Sequence, residues 1–332
     1  MKLSFVVPCY NEEAALSETA HRLAQLSDEL KRAGKIDSAT IWFVDDGSRD
    51  DTWAIIEGLA AQSQLFVGIK LSRNCGHQNA LLAGLLTADG DAVISLDADL
   101  QDDLNVVLPM IEAWHQGHDI VYGVRRSRPD DTWFKRWSAR RYYSLLRRLG
   151  VDIVPDHADF RLLSREALQT LAHYPEANLF LRGLIPQLGS RSAQVFYDRQ
   201  ARAHGETKYS FGKMVSLALD GVTSFSAVPL RIIAALGLTI FVFSILVTVW
   251  IVFVRLFTDS AASGWASTTL PIYALGGIQL LSLGVVGEYV AKIYLESKRR
   301  PRYLIERVTR ERRRGRRGGA QGLADPLMTE TR

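Results

Sequence analysis

Short apolar runs alternate with segments of helical spacing along the N-terminal third of the chain. Leu3 to Cys9 predicts a buried strand, and Glu12 to Arg32 predicts a helix, with Ala15, Leu16, Leu23, Leu26 and Leu30 on one stripe. Strands follow at Thr40 to Val44, Phe66 to Leu71, Ala92 to Leu96 and Asp119 to Gly123. Helices are predicted between them at Asp51 to Ala61, His77 to Thr87 and Leu104 to His115. Such a βαβα series is the signature of a doubly wound α/β domain. Beyond Arg125 the alternation loosens into a basic helix from Trp133 to Leu149, carrying Lys135, Arg136, Arg140, Arg141, Arg147 and Arg148.

The pattern changes again toward the C-terminus. Tyr209 to Leu230 is amphipathic and predicts interfacial helices, with Pro229 marking the break before the next element. Ile232 to Val254 and Ser260 to Gly287 hold no charged residue, and each supplies the roughly 20 apolar residues needed to cross a bilayer. These two stretches stand out against a mean hydropathy of +0.00 for the whole chain. Four regions follow: an α/β domain over 1–208, a juxtamembrane bridge over 209–230, two transmembrane helices over 231–296 and a basic tail over 297–332.

Charge orients this arrangement. Arg231 precedes the first apolar stretch and Lys292 and Lys298-Arg299-Arg300 follow the second, while the loop between holds Arg255 and Asp259. By the positive-inside bias both termini are cytoplasmic, in a multi-pass protein of the inner membrane. The net charge of +4 hides an Arg-rich run from Lys298 to Arg317, in which Glu306 and Glu311 are the acidic residues. Just after a span, such a run suits anionic lipid headgroups better than nucleic acid. No signal peptide is visible at the start. The two cysteines, Cys9 and Cys75, are too few and too far from clustered His for a zinc site, and read as small buried side chains.

Candidate chemistry sits at strand ends. Asp97-Ala98-Asp99-Leu100-Gln101-Asp102 follows the strand Ala92 to Leu96, at the carboxyl edge where open α/β sheets bind ligands. Two carboxylates one residue apart, with an amide, suit a hard divalent cation that shares oxygen ligands with phosphates. Tyr10, Glu12, Asp46 and Gly47 end the first two strands and offer a ring, carboxylates and close backbone approach to a nucleotide. Asp45 and Ser48 read as turn residues, with Ser48 capping the next helix. Arg202 and Lys208, flanking Gly205, offer a fork and a point charge for phosphate.

The ordered motifs V-P-x-Y-N-E, D-D-G-S, R-N-x-G, D-A-D-L-Q, D-F-R-L and R-x-x-G-E-T-K-Y resemble the family 2 inverting glycosyltransferases. Within them the chain is similar to the polyisoprenyl-phosphate glycosyltransferases, a group that includes bactoprenol glucosyltransferases and dolichol-phosphate mannose synthase. That resemblance implies a GT-A-type domain with nucleotide contacts at Pro8, Tyr10, Glu12, Val44, Asp46, Asp97, Ala98 and Arg125. It also implies Mg²⁺ or Mn²⁺ at Asp99 and Gln101, and phosphate contacts at Arg202 and Lys208. Asp159 is implied near the acceptor, where positioning is favoured over base catalysis because a phosphate monoester is already largely ionised at neutral pH. His77, opening a helix in the R-N-x-G segment, is expected to shape the donor pocket.

In the family the acidic motif is commonly followed by Pro-Pro, where this chain has Asp102-Asp103-Leu104, and Asp102 reads as a helix cap. The implied reaction moves a sugar, glucose first, from a UDP-sugar to undecaprenyl phosphate with inversion, and the family also implies a homo-oligomer. A processive polysaccharide synthase is disfavoured, because Trp133 stands where the Q-x-x-R-W signature needs glutamine before Arg136-Trp137. A non-catalytic membrane adaptor is disfavoured by the intact metal and phosphate residues.

Overall fold

Period-two alternation within the strands sorts the core into two layers, one on each face of a single sheet. A computed structural model describes residues 1–99, 101–125, 157–176, 179–198, 228–257 and 265–309. Along β1 (Lys2–Cys9), Leu3, Phe5, Val7 and Cys9 join one buried cluster, and Val6 joins the other. The first cluster lies under α1 (Leu16–Arg32), α2 (Thr52–Gln62) and α4 (Val107–His115). The second lies under α3 (His77–Thr87), α5 (Arg165–Ala172) and the short α6 (Leu181–Leu184). Both faces are covered, as the sequence predicts, so the central strands are apolar throughout.

The eight strands run β7-β5-β6-β4-β1-β2-β3-β8. Here β2 is Ser38–Asp45, β3 is Phe66–Leu71, β4 is Ala92–Ser95 and β5 is Ile120–Arg125. The others are β6 (His157–Ser164), β7 (Ser192–Tyr197) and β8 (Ile305–Val308). Strands β1 to β4 form a parallel core, so the loops after β1, β2 and β4 share one rim. The sheet is mixed rather than wholly parallel: β6 inserts antiparallel between β4 and β5. That insertion brings the start of β6 to the same rim as the end of β4.

Local hydrogen bonding moves several predicted boundaries. The first helix begins at Leu16 rather than Glu12, because Asn11 turns with φ 54° and the Glu12 amide donates to Thr52 Oγ1 at 2.9 Å. Leu104 to Val106 forms a 3₁₀ turn ahead of α4, capped by Asp103, whose Oδ1 accepts the Asn105 amide at 3.0 Å. Asp103, not Asp102, is therefore the cap. Ser48 does not cap α2 either; its Oγ accepts the Asn11 amide at 3.0 Å, and Asp50 Oδ1 accepts the Thr52 amide at 3.1 Å.

Part of the segment assigned to the tail belongs to the sheet. Residues 305–308 form β8, antiparallel to β3, with Lys70 to Glu306 at 3.1 Å and Arg307 to Glu57 at 2.6 Å. An edge strand offers unpaired backbone groups, and the charged composition of the run conceals that it can satisfy them. The predicted basic helix at 133–149 and most of the juxtamembrane bridge lie outside the described residues.

Two long helices precede β8: α7 (Val228–Phe257) and α8 (Trp265–Ser297). Among the described residues, Ile278–Ser297 is the segment long and apolar enough to cross a membrane, and Val228–Ile240 is a shorter apolar stretch. Pro229 falls in the first turn of α7, where its missing N–H costs nothing.

Helix α3 lies so close to the sheet that a Cβ on Gly84 would stand 2.4 Å from Val6 Cγ1 and 2.8 Å from Val44 Cγ2. Both neighbours are buried strand residues with no room to swing away. Gly84→Ala is expected to cost about 1–3 kcal/mol through overpacking. Thermal melting of the detergent-purified protein checks this, and an unchanged midpoint would show slack between α3 and β1.

Candidate active site

The loops after β1 and β2 are laced to each other and to the R-N-x-G segment. Asp46 is buried and accepts the amides of Cys75 at 2.7 Å and Gly76 at 2.9 Å, one on each carboxylate oxygen. Gly47 has φ +68°, and a Cβ there would lie 2.6 Å from the Asn74 amide nitrogen, so glycine alone allows this approach. The Asn11 side chain accepts the Arg49 amide at 2.9 Å. Tyr10 is exposed beside this seam, while Pro8 is buried in β1. Val44 is fully buried against α3 and paired with β1 and β3, so the predicted nucleotide contact there is not open to a ligand.

Next along the rim comes the acidic loop after β4. Asp97 and Asp99 are half-buried, Gln101 is buried, and the Gln101 amide donates to Asp99 Oδ1 at 3.3 Å. Burial pushes the Asp97 carboxyl up to about 6, with the charges of Asp159, Asp102 and Asp99 adding to the rise and His77 opposing it. Crowded carboxylates with an adjacent amide oxygen match the donor set of a hard divalent cation. Asp99 and Gln101 fit that group.

A second cluster faces the first. Continuing the antiparallel pairing of Ser95 with Arg161 by two residues sets Asp97 opposite Asp159, and the Ser95 hydroxyl donates to the Asp159 carbonyl at 2.5 Å. Arg161, fully buried, hydrogen-bonds Asp159 through Nη2, while its Nε and Nη1 meet no hydrogen-bond partner among the described residues. Arg182 grips the same carboxylate with Nε at 3.3 Å from Oδ1 and Nη2 at 3.1 Å from Oδ2. His77 Nε2 lies 3.3 Å from Asp159 Oδ2 and 3.7 Å from Asp97 Oδ1.

The ligand atoms of His77, Asp97 and Asp159 lie within 4.8 Å of one another, a spacing open to a metal. Both oxygens of Asp159 are already engaged by guanidinium groups, so this trio suits an ion-pair network better than a cation. Burial acts to raise the Asp159 carboxyl, but His77, Arg161 and Arg182 together hold it well below the usual carboxylate range. The His77 imidazole is raised in turn: burial disfavours its charge, and Asp159 and Asp97 more than offset that.

A third group completes the rim. Arg125 Nη2 donates to Asp102 Oδ1 at 3.0 Å and its Nε to the Tyr197 hydroxyl at 3.2 Å, while the Tyr197 hydroxyl donates to the same Asp102 oxygen. Asp102 is buried, and it serves to fix the Arg125 guanidinium.

The glycosyl transferase family 2 model matches residues 4–172, about half of the chain and all of the rim just described except Arg182 and Tyr197. The chain belongs to the family 2 glycosyltransferases. It is 47% identical over 307 residues to the uncharacterized glycosyltransferase YkoT of Bacillus subtilis, spanning 92% of this chain and 91% of that one. It is 39% identical to the bactoprenol glucosyl transferase of Shigella phage SfV over 92% and 98% of the two chains. A prophage bactoprenol glucosyl transferase homolog of Escherichia coli is 38% identical over 93% and 99%. Among solved structures, glucosyl-3-phosphoglycerate synthase from Mycobacterium tuberculosis, in complex with Mn²⁺, UDP and phosphoglyceric acid, is 19% identical. It aligns with a TM-score of 0.44 over 67% of this chain and 76% of that one.

In this glycosyltransferase the residues singled out from sequence fall into three groups. Tyr10, Glu12, Asp46, Asp97, Ala98, Asp99, Gln101, Arg125 and Asp159 come together along one rim. Pro8 and Val44 support it from within the sheet. Arg202 and Lys208 lie outside the described residues. His77 shapes the site by bridging two carboxylates, a link invisible in its local sequence. Arg182 and Tyr197 carry no sequence motif of their own; only their approach to Asp159 and Asp102 in the fold reveals them.

The depressed Asp159 carboxyl gives a pH-dependent prediction. Asp159→Asn leaves the buried Arg161 charge uncompensated and is expected to cost about 3–5 kcal/mol at pH 7. Because the folded carboxyl titrates below its unfolded value of about 3.9, this stabilisation exists above that value and fades as pH falls through the folded one. Denaturant melts across pH check it: the gap between wild type and variant should shrink toward acid, and a constant gap would refute the charge argument.

Proposed function

We propose that this enzyme transfers a glucosyl group from UDP-glucose to a polyprenyl phosphate, undecaprenyl phosphate in bacteria, with inversion and dependence on Mg²⁺ or Mn²⁺. The observation that carries the reading is the rim itself. The Tyr10–Asp46 seam, the oxygen donors of Asp99 and Gln101 and the cations around Asp159 share it, which supports a nucleotide, a divalent cation and a phosphate there. Similarity along nearly the whole chain to proteins named bactoprenol glucosyl transferases supports the lipid acceptor. Large apolar side chains exposed along α7 and α8, such as Phe243, Trp250, Ile272 and Leu280, support burial in a bilayer. The reading includes a pair of spans, a cytoplasmic catalytic domain and a basic tail on anionic lipid.

In this mechanism Tyr10 stacks on the base, and Glu12, with the loop that Asp46 pins, holds the ribose and base edge. Asp99 and Gln101 would hold the divalent cation, which when bound would supply charge neutralisation to the departing diphosphate. Arg125, fixed by Asp102 and Tyr197, adds a preorganised cation beside the acidic loop. An acceptor phosphate oxygen forms the new bond to the anomeric carbon from the face opposite the diphosphate. The old carbon–oxygen bond breaks, and its electron pair leaves with UDP. No proton need move, because the attacking monoester has a second pKa of about 6.

Incubation of the purified protein with labelled UDP-glucose and undecaprenyl phosphate tests the proposal, with label counted in the organic phase. Asp99→Ala is expected to lower kcat/KM by more than about 100-fold, the equivalent of roughly 3 kcal/mol of lost charge stabilisation. EDTA should abolish wild-type transfer, and excess Mn²⁺ should restore it. Undiminished lipid labelling by Asp99→Ala would remove the metal assignment.

A further inference from the structure

Arg182 is not explained by the nucleotide or metal chemistry. Its side chain is 39% exposed, yet both Nε and Nη2 are tied to the nearly buried Asp159, which fixes the plane of the guanidinium and turns its other edge outward. The helix that carries it is itself anchored: Gln78 Oε1, one residue after His77, accepts the Leu181 amide at 2.8 Å. An arginine immobilised by a carboxylate at a rim is a preformed receiver for a second oxyanion.

Strand order says which oxyanion. The nucleotide loops follow β1 and β2, on one side of the acidic loop after β4, whereas Asp159 lies on β6, on the other side. A diphosphate bound at Asp99 and Gln101 therefore stands between the nucleoside and Arg182. In-line displacement requires the attacking group to come from the side away from the diphosphate. The membrane-facing end of the chain is fastened to this same layer. Tyr303, just beyond α8, packs on the cluster that includes Leu181 and Leu184, and Arg302 Nη2 donates to the Tyr174 carbonyl at 2.8 Å. The local charge agrees: Arg161, Arg182 and His77 surround Asp159, and two nitrogens of Arg161 lack hydrogen-bond partners among the described residues.

We propose that Arg182 is the residue that receives the phosphate monoester of the lipid acceptor, with Asp159 as its positioning residue rather than a base. This assignment rests on the polyprenyl-phosphate reading above. The free guanidinium edge binds two phosphate oxygens and leaves the third to attack.

Initial rates with varied acceptor and varied donor test it. Arg182→Gln is expected to raise the KM for undecaprenyl phosphate about 10- to 100-fold, the loss of a charge-assisted pair. The KM for UDP-glucose should stay within about twofold. Farnesyl phosphate should suffer the same factor, since the headgroup and not the chain is recognised. Arg182→Lys keeps the charge without the fork and should fall between, and it decides the matter if the glutamine variant does not fold. A residue that merely braces Asp159 would lower the melting temperature and kcat without selectively moving the acceptor KM. That result, or an equal rise for donor and acceptor, overturns the assignment alone. A wild-type protein that labels no lipid phosphate overturns the proposed function, and the assignment with it.

Discussion

Everything at the catalytic rim depends on the apposition of Asp97 and Asp159 across the β4–β6 pair. Two carboxylates brought face to face at a partly dry edge cannot both stay ionised without help. The fold resolves the conflict asymmetrically. Asp159 is surrounded by Arg161, Arg182 and His77 and stays charged far into acid; Asp97 is left on the crowded side, its carboxyl raised to about 6. One half of the pair is thereby neutralised by protein cations. The other half retains the negative field that a divalent ion can relieve.

The scaffold explains why this apposition is possible at all. A wholly parallel sheet would present only strand ends at this rim, with helices returning on either face. By inserting β6 in the opposite direction, the chain places a strand beginning beside the end of β4, so two acidic segments meet with no loop between them. Close packing of α3 through Gly84 then delivers His77 over the junction, and the Asp46 carboxylate holds the preceding turn by its amides. The same residues that fix the backbone also set the distances between charges.

Most of the parallel half was legible in the sequence, because buried strands and amphipathic helices differ in period and β1 to β4 obey it cleanly. The acidic loop was legible for the same reason: it directly follows a strand. What escaped was the antiparallel part. The D-F-R-L segment alternates Asp159 and Arg161 with apolar residues, but a strand with two charges facing the core was not predicted there, because their mutual neutralisation is visible only inside the sheet. Arg182 and Tyr197 escaped because their partners are distant in sequence. Asp102 was misread as a cap because local rules favour short-range partners, whereas a partly exposed Arg125 and a buried Tyr197 offered it stronger long-range ones.

β8 was hidden by composition, and its placement constrains how the enzyme meets its membrane. Between the end of α8 at Ser297 and the start of β8 at Ile305 the chain has seven residues, a reach of at most about 25 Å. Leu304 accepts the Ser72 amide at 2.9 Å, and Thr309 closes on Gly68 through both its backbone and its hydroxyl. Ser72 in turn leads into the turn that Asp46 holds. The apolar helix is thus joined to the catalytic sheet by a hydrogen-bonded edge rather than by a free linker. A flexible tether would let the rim sample many heights above a bilayer, whereas strand pairing restricts it to few. For a reaction whose acceptor headgroup is confined to a thin interfacial layer, that restriction limits the heights the rim can take relative to the helix that enters the layer.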